Sequence, residues 1–173
     1  MIQKAVLEDL EEIEATYDEH FSYEAEHGAF TVFRKGIYPT RKDAESAIRA
    51  GTLYVARVDG RIAGSVIVDH EQPPKYAEIP WPHAWGKSEV MVIHLLMVRP
   101  SMSGRGLATS LLQFSLKLAT DRGCKAMRLD TGSQNIPAVS LYQKLGFQVV
   151  ASASMKVGSA IEHSGHLFLE KEL

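Results

Sequence analysis

One cysteine, Cys124, stands in 173 residues. A lone thiol excludes an internal disulfide framework and a cysteine-based zinc site, and this usage fits a reducing compartment such as the cytoplasm. Charge of one sign is also missing. Lys and Arg number 19 against 21 Asp and Glu, so the net charge of −2 draws the chain as a whole neither to nucleic acid nor to an anionic membrane. No apolar run approaches the roughly 20 residues that cross a bilayer, and the start of the sequence has no secretory pattern. Internal repeats, low-complexity tracts and linkers are absent as well. What is present, a 45% hydrophobic chain, suffices for one substantial core and is short for two, so residues 1–173 are expected to form one domain.

Periodicity divides the chain into elements. Ile2 to Lys4 reads as a short strand, and Leu10, Ile13, Tyr17 and Phe21 recur at helical spacing. From Ser22 to Pro39 no period is visible. Thr40, with Asp43 three residues on, predicts the start of a second helix that ends near Gly51. Strands over Leu53–Val58 and Ile62–His70 flank Asp59-Gly60, the signature of a tight antiparallel hairpin. Glu71 to Lys87 holds Pro73, Pro74, Pro80 and Pro82 with both tryptophans, and reads as a long, partly stiffened loop. An almost unbroken apolar run from Val90 to Val98 suits a central strand buried on both faces. A helix to Arg122-Gly123, a strand over Ala126–Thr131 and a helix from Pro137 to Gly146 follow. Strand, helix, strand in that order gives a parallel pair. Phe147–Val157 and His166–Glu170 read as a terminal hairpin.

Between the central strand and its helix lies Ser103-Gly104-Arg105-Gly106-Leu107-Ala108. Glycines let main-chain N–H groups approach a ligand without a Cβ in the way, and the first N–H groups of a helix have no carbonyl a turn before them. With the helix dipole, such a turn attracts phosphate. The turn alone also fits a dinucleotide site, with Asp130 placed for a ribose contact, but Thr109 stands where that fingerprint needs its third glycine. No Gly-Lys-Ser/Thr follows, which argues against a P-loop.

Downstream, Asn135 is followed by Ala138, Leu141-Tyr142 and Gly146-Phe147. Together with the glycine turn and the parallel pair, this resembles the GNAT superfamily of acyl-CoA-dependent N-acetyltransferases, over roughly Glu89 to Val150 in motifs and most of the chain in element order. The resemblance implies one α/β domain with a mixed, largely antiparallel sheet, a central parallel pair and flanking helices. It implies acetyl-CoA as cofactor, its pyrophosphate on Ser103, Gly104, Arg105, Gly106, Leu107, Ala108 and Thr109. The pantetheine arm would lie along main-chain groups of Leu96, Met97 and Val98, near Asn135. The family motif, Arg or Gln, two residues, Gly, one residue, Gly or Ala, lands on Ser103, Gly106 and Ala108, so Ser103 departs from it.

Chemistry assigns the remaining roles. An alkyl ammonium has no lone pair, and with a pKa of about 10.4 it must lose a proton before attack. His94, in the central strand, suits a general base, as a histidine there does in some family members; a core histidine bonded to a carbonyl is the alternative, and Glu89 is a second candidate base. Tyr142, which the resemblance places near the sulfur of CoA, can protonate the departing thiolate. The resemblance, together with the aromatic segments, implies the amine of a small molecule as acceptor, with a peptide or protein amine as the alternative. Aromatic residues from Phe21 to Tyr38, Glu24, Glu26 and the Trp81–Trp85 loop are candidates for its pocket. The terminal hairpin could pair across subunits into a homodimer or simply complete the sheet. A non-catalytic acyl-CoA sensor on the same scaffold would need neither His94 nor Tyr142.

Overall fold

A computed structural model describes residues 1–173. Eleven main elements follow the chain: β1 (Ile2–Lys4), α1 (Leu10–His27), α2 (Arg41–Ala50), β2 (Leu53–Val58), β3 (Arg61–Asp69), β4 (Val90–Val98), α3 (Leu107–Asp121), β5 (Ala126–Gly132), α4 (Ile136–Lys144), β6 (Gln148–Val157) and β7 (Ile161–Glu172). The strands make one sheet in the order β1-β2-β3-β4-β5-β7-β6. Only β4 and β5 run parallel. This is the mixed, largely antiparallel α/β architecture expected from the sequence. No helix is long and apolar enough to cross a membrane.

Local chemistry explains most of the boundaries. Asp59 and Gly60 both adopt positive φ, 50° and 78°, the twist that a two-residue hairpin between β2 and β3 requires. The Asp43 carboxylate accepts the Thr40 N–H at 2.7 Å and its hydroxyl at 2.9 Å, fixing the start of α2.

Two elements run longer than the apolar pattern indicates. Helix α1 continues to His27 because its buried face passes from Ile13 and Tyr17 to His20 and Glu24, which keep helical spacing but are polar. Their side chains satisfy each other at 2.8 Å. Strand β7 starts at Ile161, five residues before the expected His166. Ser164 and Gly165, which read as loop, are absorbed as a bulge opposite β6, with Gly165 at φ 71°.

Two layers cover the sheet. Leu111, Leu112 and Tyr142 from α3 and α4 pack on Met91, Ile93, Met127 and Leu129. On the other face, Ile13 and Tyr17 of α1 and Ala44 and Ile48 of α2 pack on Leu53, Ile62, Leu95 and Met97. Beside them Tyr76 and Ile79, from the 71–87 segment, cover Val92, Met155 and Phe168.

Candidate active site

The site is a gap in the sheet. Strands β4 and β5 pair only from Val90 to Ile93 against Ala126 to Leu129, although β4 runs on to Val98 and β5 to Gly132. A bulge marks the point of parting. Ile67 of β3 opposes Leu95 and Val68 opposes Ile93, which leaves His94 as the extra residue. The bulge also resets the alternation. Val92 packs on the α1 side of the sheet, and so does Leu95, three residues later rather than two or four. Leu96 and Val98 then face α3, half-buried, with no β5 partner beside them.

Beyond Ile93 the gap holds a cleft of about 560 Å³. It is bordered by Leu96, Val98, Ala108, Asn135, Leu141 and Tyr142. The Met97 side chain is buried on the opposite face, so its contribution is main chain. Gly104 and Gly106 adopt φ of 76° and 72°, and a Cβ on either would meet nothing within 4 Å. Glycine is thus demanded by backbone conformation, and the space before the turn is open. Helix α3 begins immediately, with Gly106 as N-cap and Ser110 N–H bonded to its carbonyl at 3.0 Å. Free N–H groups therefore point out of its first turn. Ser103 and Ala108 line the cleft, Arg105 is exposed, Leu107 packs on the core and Thr109 is half-buried.

A constriction of about 70 Å³ leads out of the cleft. Thr31, Phe33, Leu96, Asn135 and Tyr142 border both spaces. Asn135 caps α4, its Oδ1 accepting the Ala138 N–H at 3.4 Å. Burial, and then the charge of Asp130, push the Tyr142 phenol above its ordinary range, so it carries its proton at neutral pH.

A second cavity, of about 430 Å³, lies beyond. His94, Asp130 and Val157 border both it and the constriction. His94 Nε2 lies 2.6 Å from Asp69 Oδ1. Burial alone would raise the Asp69 carboxyl, but the hydrogen bond and charge of His94, the Glu71 N–H and the charge of His70 outweigh it and hold it below its ordinary value. An ionised Asp69 makes Nε2–H the donor and leaves Nδ1 of a neutral ring with the lone pair. Asp130 Oδ1 accepts the Tyr76 hydroxyl at 2.6 Å, and Oδ2 lies 2.9 Å from His166 Nε2.

The acetyltransferase (GNAT) family matches residues 8–147. The chain belongs to the GNAT family. Streptothricin acetyltransferase of Escherichia coli is 25% identical over 138 residues, covering 78% of this chain and 68% of its own length. The chain spans between 17% and 68% of the length of the curated relatives it matches. A GNAT-family acetyltransferase of Streptococcus agalactiae superposes with a TM-score of 0.81 at 23% identity, covering 100% of this chain and 95% of its own. The yncA protein of Salmonella typhimurium, solved with its cofactor acetyl-CoA, gives a TM-score of 0.68 at 19% identity, covering 100% and 93%.

Within this GNAT fold, several candidates for the acceptor pocket take other places. Glu24 is consumed internally: it accepts the Phe30 and Thr31 N–H groups at 2.6 and 2.9 Å and the Thr31 hydroxyl at 2.8 Å, fastening the segment that lines the constriction. Glu26 is exposed. Tyr23, Phe30 and Phe33 border the cleft, whereas Tyr38 borders the second cavity. Trp81 and Trp85 pack against the core rather than lining that cavity. Trp81 lies 4.2 Å beneath the Arg128 guanidinium, which donates to Glu170, Gln72 and the His83 carbonyl. Glu89 sits at the far end of β4, its carboxylate accepting the Gly86 N–H at 2.7 Å, and borders none of the three spaces. Sequence reading overlooked Asp69, whose pairing with His94 spans 25 residues, and His166, which spans 36 to Asp130. Asp130 was legible only as a ribose contact, because nothing local shows which side chains gather around it.

Proposed function

We propose that this GNAT protein transfers the acetyl group of acetyl-CoA directly to the amine of a small-molecule acceptor. The observation that carries the reading is three adjoining spaces that share lining residues in turn: a cleft edged by glycine turn and strand main chain, a constriction lined by Tyr142 and His94, and a cavity that His94 and Asp130 also line. The cleft fits the donor. Open glycines before α3 suit a pyrophosphate, and the unpaired edge at Leu96 to Val98 suits an amide-bearing pantetheine arm. Ser103, Arg105, the first turn from Leu107 to Thr109, and Asn135 complete that set. When bound, acetyl-CoA supplies an electrophilic acetyl carbon and a thiolate leaving group.

The chain's own groups manage the protons. His94 Nδ1 accepts one from the acceptor ammonium, and Asp69 stabilises the resulting imidazolium. Tyr142 offers its O–H toward the sulfur and recovers a proton from the acylated nitrogen. One proton is released to solvent per turnover. A main-chain N–H near Leu96 can polarise the thioester carbonyl. Cys124 lies near the start of β5, bonded to the Ser88 carbonyl, and borders none of the three spaces, consistent with transfer without a cysteine-bound intermediate. A cavity of about 430 Å³ is of a size for small ligands.

Incubation with acetyl-CoA and a panel of polyamines, aryl-alkylamines, amino acids, aminoglycosides and peptides tests this. Thiol release with acetylated small-molecule product is the expected result. Acetyl-CoA binding without transfer to any amine would replace the enzyme reading by that of a binding module, and transfer to peptides alone would overturn the small-molecule acceptor.

A further inference from the structure

Of the three spaces, Tyr142 and His94 border only the constriction in common. The transfer reading above therefore puts the reacting acetyl group there, its sulfur toward the cleft and the acceptor arriving from the cavity. With those two directions taken, the tail of the acyl group extends toward whatever closes the far end of the gap.

What closes it is the sheet itself. Ile93 and Leu129 are the last registered pair between β4 and β5, and both line the constriction. A chain threading the gap from its open end meets this pair where the strands join, because behind it they stay paired back to Val90 and Ala126. Neither side chain has room to yield. Ile93 is 3% and Leu129 1% exposed, and both belong to one buried cluster with Met91, Leu111, Met127 and Tyr142. Val32 and Phe33 line the same space, on the segment that Glu24 fastens through the Phe30 and Thr31 N–H groups. The volume of about 70 Å³ is on the order of two water molecules at ~30 Å³ each, room for an acetyl tail and little more. The way toward the cavity is flanked by His94 and Asp130, whose polar atoms an apolar chain would cut off from other partners.

We propose that Ile93 and Leu129 gauge the donor, admitting acetyl and turning away acyl groups longer by one or two methylenes. The inference rests on the transfer reading and adds donor selectivity to it. Neither residue handles a proton; both act by shape alone.

The test compares acetyl-, propionyl- and butyryl-CoA by kcat/KM with the best amine of the panel, and by calorimetric titration with no amine present. Free CoA, which carries no acyl group, is the reference. In the unaltered protein each added methylene is expected to cost about tenfold or more in kcat/KM, and to weaken binding relative to free CoA. Leu129→Ala deepens the space and should raise the butyryl-to-acetyl ratio by about tenfold or more in both measurements, with free CoA affinity unchanged. Ile93→Val, a loss of one methylene, should do the same for propionyl alone. Any buried truncation lowers the unfolding temperature, so the telling stability measurement is differential. Butyryl-CoA should raise the unfolding temperature of Leu129→Ala more than acetyl-CoA does, because its tail fills the space left, and should not do so in the unaltered protein. If Leu129→Ala does not fold, Leu129→Val takes its place. Equal use and binding of the three donors by the unaltered protein, or ratios that neither substitution moves, would overturn the gauge. If transfer fails with every donor and amine, the functional reading falls, and the calorimetric ratios decide the gauge on their own.

Discussion

The two sides of the β4–β5 gap are made of different material. On the cleft side the polar surface is backbone: an unpaired strand edge from Leu96 to Val98 and a glycine turn running into α3. On the cavity side it is side chain, assembled from contacts such as Asp69 with His94, Tyr76 with Asp130, and Asp130 with His166. Backbone recognition constrains conformation and spacing but tolerates many side chains. Side-chain recognition constrains identity at positions far apart in sequence. A common donor therefore suits the first side, and an acceptor that differs between relatives suits the second.

Tyr142 belongs to both sides, so its loss should have the largest catalytic effect. Tyr142→Phe removes one oxygen from a buried, well-packed ring and should lower kcat by about 10²–10⁴-fold, with CoA affinity retained. Steady-state rates beside equilibrium CoA titration check this; full activity would remove the proton donor from the mechanism.

Arg128 tests the cavity side as a scaffold. It is buried against Glu170 at 2.7 Å and holds Gln72, which borders the cavity. Arg128→Met strands a buried carboxylate and should destabilise the fold by about 3–5 kcal/mol in denaturant titrations. Adding Glu170→Leu should recover much of that loss, because the stranded charge goes with it. In the double variant, acceptor KM should remain raised and CoA affinity unaltered. Equal damage to both would dissolve the distinction between the sides.

The same difference decides what the sequence discloses. The glycine turn, the capped α4 at Asn135 and the apolar β4 are local patterns, and the structure gathers them around one cleft, the grouping that the family resemblance implies. Asp69, Asp130 and His166 have no local pattern. Each is an ordinary polar residue within or at the end of a strand, and the contacts Asp69–His94, Tyr76–Asp130 and Asp130–His166 join residues 25 to 54 positions apart. Polar residues on a buried helical face mislead in the same way, as His20 and Glu24 conceal the last turns of α1. The bulge at His94 is also silent, since an extra strand residue shows only against its partner's register.

His94 distinguishes chemistry from scaffolding within the cavity side. Without it, deprotonation falls to solvent, and His94→Ala should lose about 10–100-fold at neutral pH, with the deficit shrinking as pH climbs toward the amine's own pKa of about 10.4. An unchanged pH profile would count against the base. The stability profile has its own sign. The Asp69 carboxyl is lowered in the fold, so its contribution is present above the unfolded carboxylate range and lost as pH falls through its depressed value. Asp69→Asn should flatten that acid limb of the unfolding curve.

The smallest expected effects lie in the glycine turn, where two neighbouring substitutions should behave oppositely. Gly106 holds φ 72°, a conformation that costs a β-branched residue about 1–2 kcal/mol, so Gly106→Val should weaken CoA binding by about tenfold or more through strain and crowding of the phosphate approach. Ser103 sits where the family motif has Arg or Gln, yet it is exposed and its hydroxyl bonds to nothing within the chain; only its main-chain N–H is engaged, to the Pro100 carbonyl at 3.1 Å. Removing that hydroxyl leaves every backbone donor in place. Ser103→Ala should therefore change CoA affinity by no more than about twofold in calorimetric titration. A tenfold loss there would make the turn a side-chain site like the acceptor cavity, and the contrast between the two sides of the gap would fail.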